Sequence, residues 1–446
     1  MIITTIGLGK LGYPMAEFLS SSGSTVKVYD KNESYIKKLS SNKIEFYENG
    51  LSKYKDNGNK LIFCDSISEA ITHSSIIFIT VPTPSKKSGD FSNEFILNVL
   101  KDISKSLKKS KNKKPIIINI NSTVSPGSFE NEFAPFMINE GLKINEDYCF
   151  VYNPYFVALG NVINNLENPD MVLVGTSSIY AAKTMNKFYQ SIYDHPNIKM
   201  MSLQEAEITK LSLNAYLTLK ISYSNSLVNS VKENPNIDPN RILDAIGSDK
   251  RVGKKFIMPG GPFAGPCLPR DTYALKNHFE TTKSSSVLLD TINKINEDTL
   301  NTIFRDFKKL NSKYGFKKFG FLGLGYRPNT SNIEDSFALK LFDLCNGEGF
   351  EVAYLDHYLD HGLRKNQLFD EKDLVGFSDV LFLSYIDFKN KNLLNEDLYK
   401  KTILWDIWYQ FKEFKSKNII HTVSSIDREF VKDLNSTESR SLRVVK

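Results

Sequence analysis

The chain has 446 residues, with 57 lysines and arginines against 51 acidic residues, a net charge of +6 at neutral pH. Hydrophobic residues make up 41% and charged residues 24%, a balance that excludes a disordered chain. No apolar run reaches the ~18 residues of a membrane span, and ~100–200 residues per domain implies two to four domains. No basic segment precedes an apolar run at the start, so no secretory signal is expected. Cys64, Cys149, Cys267 and Cys345 are scattered without a close pair, which fits a reducing compartment, and a cytoplasmic address is expected.

In chain order, apolar strand-type runs at 2–6, 25–29, 60–64, 76–81, 115–120, 149–152 and 171–174 alternate with helix-type segments. Several are continuous Ile/Val runs, as strands buried on both faces require, so a doubly wound parallel sheet is expected. Between 105 and 114 lie six lysines in ten positions. Without interleaved aromatics this is a solvated helix end, and no nucleic-acid partner is expected. The stretch 202–233 lacks Gly and carries apolar residues at helical spacing, predicting one long helix. Strand-type runs resume at 318–322, 351–355, 380–384 and 402–405, and the polar tail 436–446 is expected to fray. The fold class is therefore α/β: two Rossmann-like doubly wound parallel-sheet domains joined by a central helical domain with one long helix. The expected boundaries are 1–200, 201–312 and 313–446.

The first strand runs into Gly7-Leu8-Gly9-Lys10-Leu11-Gly12, a helix-type segment follows, and Asp30 ends the next strand. Strand, glycine turn, helix and acidic residue in this order point to a dinucleotide: glycines admit the pyrophosphate and Asp30 accepts from the ribose hydroxyls. A carboxylate there repels a 2′-phosphate, which favours NAD over NADP. Val81-Pro82-Thr83-Pro84 and Asn121-Ser122-Thr123-Val124 follow later strands, at the strand ends where such sheets bind ligands. Cys267 alone among the cysteines sits in a Gly/Pro-rich loop beside Arg270 and Asp271, and it is read either as a nucleophile or as a buried apolar residue. Lys210 and Asn214 share a helix face and are open to two readings, a solvated face or an oxyanion-stabilising pair. His357 and His361 have metal-like spacing without a further ligand cluster, so no metal is expected.

The order of these motifs resembles the UDP-glucose/GDP-mannose dehydrogenase family over nearly the whole chain. The matching elements are GLGKLG with Asp30, VPTP, NSTVSPG, YNPYFVALG with Asn168-Pro169-Asp170, EITKLSLNA, GSDKRVG around Arg251, GPCLPRD and FGFLGLGYRPNT. The resemblance implies an N-terminal NAD domain, a central dimerisation helix and a C-terminal nucleotide-sugar domain. It also implies oxidation of a sugar C6 hydroxymethyl to a carboxylate by two hydride transfers, with a cysteine holding the carbon as thiohemiacetal and then thioester. By resemblance Cys267 is the nucleophile, Lys210 and Asn214 stabilise oxyanions, and Asp271 and Thr123 position water and protons. Gly7, Gly9, Lys10, Leu11, Gly12, Asp30, Val81, Pro82, Thr83, Ser122 and Thr123 would hold NAD. Tyr155, Phe156, Lys210, Asn214, Arg251, Phe256, Gly261, Phe263 and Arg327 would bind substrate, with Arg251 reaching a neighbouring subunit's site.

Three departures stand out: Tyr155 replaces the family's glutamate, Ala264 stands where a glycine is usual, and Glu334-Asp335-Ser336 lacks the arginine many members carry. UDP-glucose is the expected substrate, with UDP-N-acetylhexosamines and GDP-mannose as alternatives, for making polysaccharide precursors. The rival is a nucleotide-sugar-binding homologue whose turnover is impaired by Tyr155. With a neutral phenol in that position, thioester hydrolysis is expected to limit turnover, and Tyr155→Glu to speed it.

Overall fold

The computed structural model describes residues 1–56, 61–109, 114–359, 362–385, 402–411 and 417–426. The chain divides into two compact units: Met1–Leu213 with Tyr273–Ser286, and Asn214–Thr272 with Val287–Lys446. Residues of the expected middle segment 201–312 occur in both units: the junctions after Leu213 and Thr272 fall inside helices, and the one after Ser286 falls at the start of the Val287–Tyr314 helix.

The first unit is built on eight strands: β1 Ile2–Ile6, β2 Thr25–Tyr29, β3 Ile62–Phe63, β4 Ile76–Ile79, β5 Ile116–Ile120, β6 Tyr148–Tyr152, β7 Val172–Gly175 and β8 Ile198–Met201. Their order is β3-β2-β1-β4-β5-β6-β7-β8. Lys60 of the expected strand 60–64 lies outside the described residues. Strand β4 shows why the isoleucine runs form the centre. Ile76 and Phe78 enter the core against helices Gly12–Ser21 and Ile179–Ile192, while Ile77 and Ile79 enter the opposite core against helix Glu94–Lys109. All four are fully buried, and each stabilises the fold by about 1.5–3 kcal/mol relative to exposure.

Six strands run parallel, as expected, but β6 and β7 pair antiparallel through Tyr152 and Gly175. The connection between them stays at one end of the sheet, a path that only antiparallel neighbours allow. Strand β8 carries no apolar run in the sequence, since its Lys199 and Met200 are exposed.

In the second unit β9 Lys318–Leu322, β10 Glu351–Leu355, β11 Val380–Leu383, β12 Ile403–Trp405 and β13 Ile419–Ile420 form a wholly parallel sheet, order β10-β9-β11-β12-β13. Phe307 centres its core, with ring centroids 4.9 Å from Phe319 and Trp405 and 5.6 Å from Phe321. Phe307 belongs to the Val287–Tyr314 helix. The expected long helix is there, as Leu203–Val231 in 29 residues, but Val287–Tyr314 is nearly its equal at 28. Both sheets reverse their winding beside the first strand, between β1 and β4 and between β9 and β11, the topological position of a ligand crevice. The tail 436–446 lies outside the described residues.

Candidate functional site

In the first unit the glycine loop leaves β1 at that reversal. Gly7 has φ +91°, and a Cβ there would lie 3.0 Å from the Thr80 carbonyl. A Cβ on Gly12 would sit 1.9 Å from the Gly7 oxygen, so both glycines are required by the turn itself. Gly9 differs: it is exposed, and nothing lies within 4 Å of where its Cβ would point. The protein's own packing does not demand a glycine there. A pyrophosphate approaching the backbone at the start of helix Gly12–Ser21 does.

Asp30, just beyond β2, accepts from the Leu8 amide at 2.8 Å and the Asn32 amide at 3.0 Å, which locks its carboxylate over the loop. Each oxygen keeps a lone pair for a ribose hydroxyl. Side chains knit in the neighbouring strand ends. Thr80 Oγ1 donates to the Gly7 carbonyl at 2.6 Å, Ser122 Oγ to the Val81 carbonyl at 2.6 Å, and Thr83 Oγ1 to the Thr123 carbonyl at 2.7 Å. The loops after β1, β4 and β5 therefore form one continuous rim, with Asp30 joined to it from the end of β2 through the Leu8 amide, and the expected NAD residues lie along it. Lys10 and Leu11 are half-buried on it, and Pro82 is exposed. The residues present fit a dinucleotide.

Lys210 is 6% exposed, and its Nζ donates to the Tyr155 carbonyl at 3.0 Å while lying 4.6 Å from the centre of the Phe156 ring. The Tyr155 phenol turns the other way, 3.2 Å from Tyr189 Oη, and burial pushes it up to about 12. Glu207, one turn before Lys210, is fully buried and accepts from the Gly127 and Phe129 amides at 2.7 and 3.1 Å. Its three-residue spacing from Lys210, which places both on one helix face, is its signal in the sequence.

In the second unit Cys267 is exposed, is not in a disulfide, and immediately precedes the Leu268–Thr281 helix. Peptide dipoles at such a helix start favour an anion. Its carbonyl accepts from the Asp271 amide at 2.9 Å, and the Asp271 carboxylate accepts from Asn214 Nδ2 at 2.6 Å. Both partners are buried, at 1% and 8% exposure, so the pair is shielded from bulk solvent.

The loop before Cys267 is clamped at several points. A Cβ on Gly260 would strike the Trp408 ring at 2.3 Å, one on Gly261 the Phe337 ring at 2.6 Å, and one on Gly265 the Tyr326 ring at 2.4 Å. Asn225 Nδ2 donates to the Gly261 carbonyl at 3.0 Å, and Asn296 bonds both backbone groups of Phe263 at 2.7 and 3.0 Å. Ala264 is accommodated against the second-sheet core. Asn225, Asn296 and Trp408 carry no local sequence signal, because their partners are distant in the chain.

Arg327 is half-buried in the loop after β9, and Phe256 is 39% exposed with φ +66°. Arg251 is exposed and pairs with Asp249 through two nitrogens, at 3.0 and 2.7 Å, which raises its already high basicity. His357 lies 3.5 Å from Glu371, and His361 is outside the described residues.

One Rossmann-like sheet carries a rim that fits a dinucleotide, and the second unit carries an exposed thiol and a buried Asn–Asp pair, parts that an NAD-dependent dehydrogenase can use. Residues 1–193 match the NAD-binding domain of the UDP-glucose/GDP-mannose dehydrogenase family, and 204–298 its central domain. The Bacillus subtilis protein YtcA, named provisionally as a UDP-glucose 6-dehydrogenase, is 30% identical over 86% of this chain and 89% of its own. A GDP-mannose 6-dehydrogenase of Pseudomonas syringae pv. tomato is 26% identical over 89% and 93%. The structure of a UDP-glucose dehydrogenase from Pyrobaculum islandicum superposes with a TM-score of 0.83 at 23% identity, covering 96% of this chain and 98% of that one. The chain belongs to the UDP-glucose/GDP-mannose dehydrogenase family. Its class is NAD-dependent nucleotide-sugar dehydrogenase, with NAD as cofactor.

Proposed function

We propose that the protein oxidises the C6 hydroxymethyl of UDP-glucose to a carboxylate, supplying a uronic acid donor for polysaccharide synthesis. The observation that carries this is the exposed Cys267 at a helix start, with Asp271 one turn on and bonded to Asn214. Bound NAD accepts the hydrides, one molecule for each of two oxidations. The Cys267 thiolate adds to the aldehyde carbon to give a thiohemiacetal. Loss of the second hydride leaves a thioester, and water attack releases the carboxylate and regenerates the thiol. Lys210 and Asn214, a turn apart on one helix, are assigned to the oxyanions. Asp271 and Thr123 are assigned to positioning water and protons. Phe156, Phe256, Gly261, Phe263 and Arg327 are assigned to the substrate, with Tyr155 beside Lys210.

The choice of UDP-glucose is supported by the name of the 30% identical relative. A cytoplasmic location is supported by four cysteines outside any disulfide, and among the described residues no helix is long and apolar enough to cross a membrane. A homodimer through the Leu203–Val231 helix is supported by Tyr216 and Tyr223, seven residues apart on one face and 54% and 50% exposed. Functionally we retain three parts: residues 1–200 for NAD, 201–312 for dimerisation and 313–446 for the nucleotide sugar.

NADH formation measured against UDP-glucose, UDP-N-acetylhexosamines and GDP-mannose tests the substrate. UDP-glucose should lead in kcat/KM by about tenfold or more. A higher value for another sugar replaces UDP-glucose with it, and no NADH with any sugar leaves the binding-only reading.

A further inference from the structure

Tyr155 stands at the exit of β6, and a buried chain of polar groups runs away from its phenol. Its Oη lies 3.2 Å from Tyr189 Oη, and Tyr189 in turn donates to Asn153 Oδ1. Asn153 Nδ2 donates to the Leu173 carbonyl of β7 at 2.6 Å. Asn121 Nδ2 donates to the Asn153 carbonyl at 2.6 Å, and Asn119 Nδ2 reaches Asn153 Oδ1 at 3.4 Å. Tyr189, Asn153, Asn119 and Asn121 are all at most 3% exposed. Asn119 Oδ1 and Asn121 Oδ1 are left without a partner, so the geometry is held by the bonds that converge on Asn153, from Tyr189, Asn119 and Asn121 and to the Leu173 carbonyl. The network ends at Asn121, directly before Ser122 and Thr123 on the dinucleotide rim.

At its other face, the same residue holds a cation. The Tyr155 carbonyl accepts from Lys210 Nζ at 3.0 Å, and the adjacent Phe156 ring covers the ammonium at 4.6 Å. An ammonium has three donors, so fixing one against a carbonyl and shielding another side with a ring sets where the remaining donors point.

We propose that Tyr155 is a positioning residue: its phenol anchors the β6 exit to Tyr189 and Asn153, so that its carbonyl and the Phe156 ring aim Lys210 in register with the Asn121–Thr123 loop. This rests on the reading of Lys210 as an oxyanion stabiliser. The phenol acts only as a hydrogen-bonding group, since burial keeps it neutral at working pH. It faces the aromatic core of Tyr189 and Tyr193 and away from the Lys210 ammonium. A carboxylate in its place would thus be a buried charge beside Tyr189, and the slow thioester hydrolysis expected from loss of the family glutamate would not be repaired by Tyr155→Glu.

The test compares Tyr155→Phe, Tyr189→Phe, their double variant and Tyr155→Glu in the full-length protein. Without any substrate, reductive methylation followed by peptide mass spectrometry reads the labelling of Lys210 against exposed Lys199. Either Phe variant should raise that ratio by about fivefold, the weight of one neutral hydrogen bond. In turnover, kcat should fall by a similar factor with the nucleotide-sugar KM within about twofold, and the double variant should be no worse than the worse single one. Unchanged Lys210 labelling overturns the proposal whether or not the protein turns over. Faster thioester hydrolysis in Tyr155→Glu also overturns it. Absence of NADH from wild type with every sugar would defeat the proposed function instead, and the labelling ratio would still decide the anchor.

Discussion

At the scale of single residues, chemistry separates four cysteines that composition treats alike. Burial pushes the thiols of Cys64, Cys149 and Cys345 up, so they remain protonated and inert at neutral pH. Cys267 alone is exposed. Iodoacetamide at neutral pH should alkylate Cys267 in step with loss of activity, and the other three only on unfolding. Cys267→Ala should form no acid, whereas Cys64→Ala should leave turnover intact at a cost of about 1–3 kcal/mol in stability. Wild-type acid formation by Cys267→Ala would remove the covalent mechanism. Asp30 makes an equally local prediction. Its oxygens are already bonded to the Leu8 and Asn32 amides, so a 2′-phosphate would meet a fixed negative charge. NADP should bind at least about tenfold more weakly than NAD in a titration; equal affinities would refute this role. Cys267 and Asp30 were legible in the sequence because loop composition and motif spacing are local. Asn225, Asn296 and Tyr189 were not, because what they do depends on partners that only the fold brings near.

Among the elements, the Leu203–Val231 helix is tied to the segment after β5 through one carboxylate. Burial pushes the Glu207 carboxyl up from 4.5 to about 7, against the amide bonds from Gly127, Phe129 and Ser128 that pull it down, while Glu130 adds repulsion. Between those two values the folded chain keeps a proton that the unfolded chain has released. The stability from this group is therefore fully present below 4.5 and is lost as pH rises through about 7. Glu207→Gln, neutral throughout, should be less stable than wild type near about pH 5, with the gap in Tm narrowing by about pH 8. A gap that widens with pH would mean the amide bonds win and Glu207 is ionised throughout. The elements differ in how visible they are for a related reason. Strand β4, buried on both faces, is a plain apolar run; β8 is half-exposed and β13 is two residues long. The Val287–Tyr314 helix opens on exposed Val287 and Leu288 and is largely polar, which hides the spacing of Leu289, Ile292, Ile303, Phe307 and Leu310.

For the whole molecule, the decisive question is whether one chain suffices. Among the described residues, Arg251 bonds Asp249, two positions before it, and 89% of its side chain is exposed. A guanidinium held in a fork at an exposed loop is placed to leave that carboxylate for a phosphate, at a modest cost because surface ion pairs are weak. If Arg251 serves a neighbouring subunit, removing it and removing Cys267 damage different sites of the same dimer. Arg251→Ala should lose most of its kcat/KM, and Cys267→Ala should be inactive. Mixed by unfolding and refolding together, half of the dimers pair one variant with the other. Each such dimer then has one site with its own Cys267 and the partner's intact arginine, so activity should return to about a quarter of wild type. If Arg251 acts within its own chain, no site in the mixture has both groups, and activity stays at the level of the two variants separately. Replacing Tyr216 and Tyr223 with aspartate locates the interface independently. Sedimentation should show monomers with the secondary structure retained, and those monomers should match Arg251→Ala in kcat/KM. A dimer that survives both aspartates would move the contact off this helix while leaving the complementation result to stand on its own.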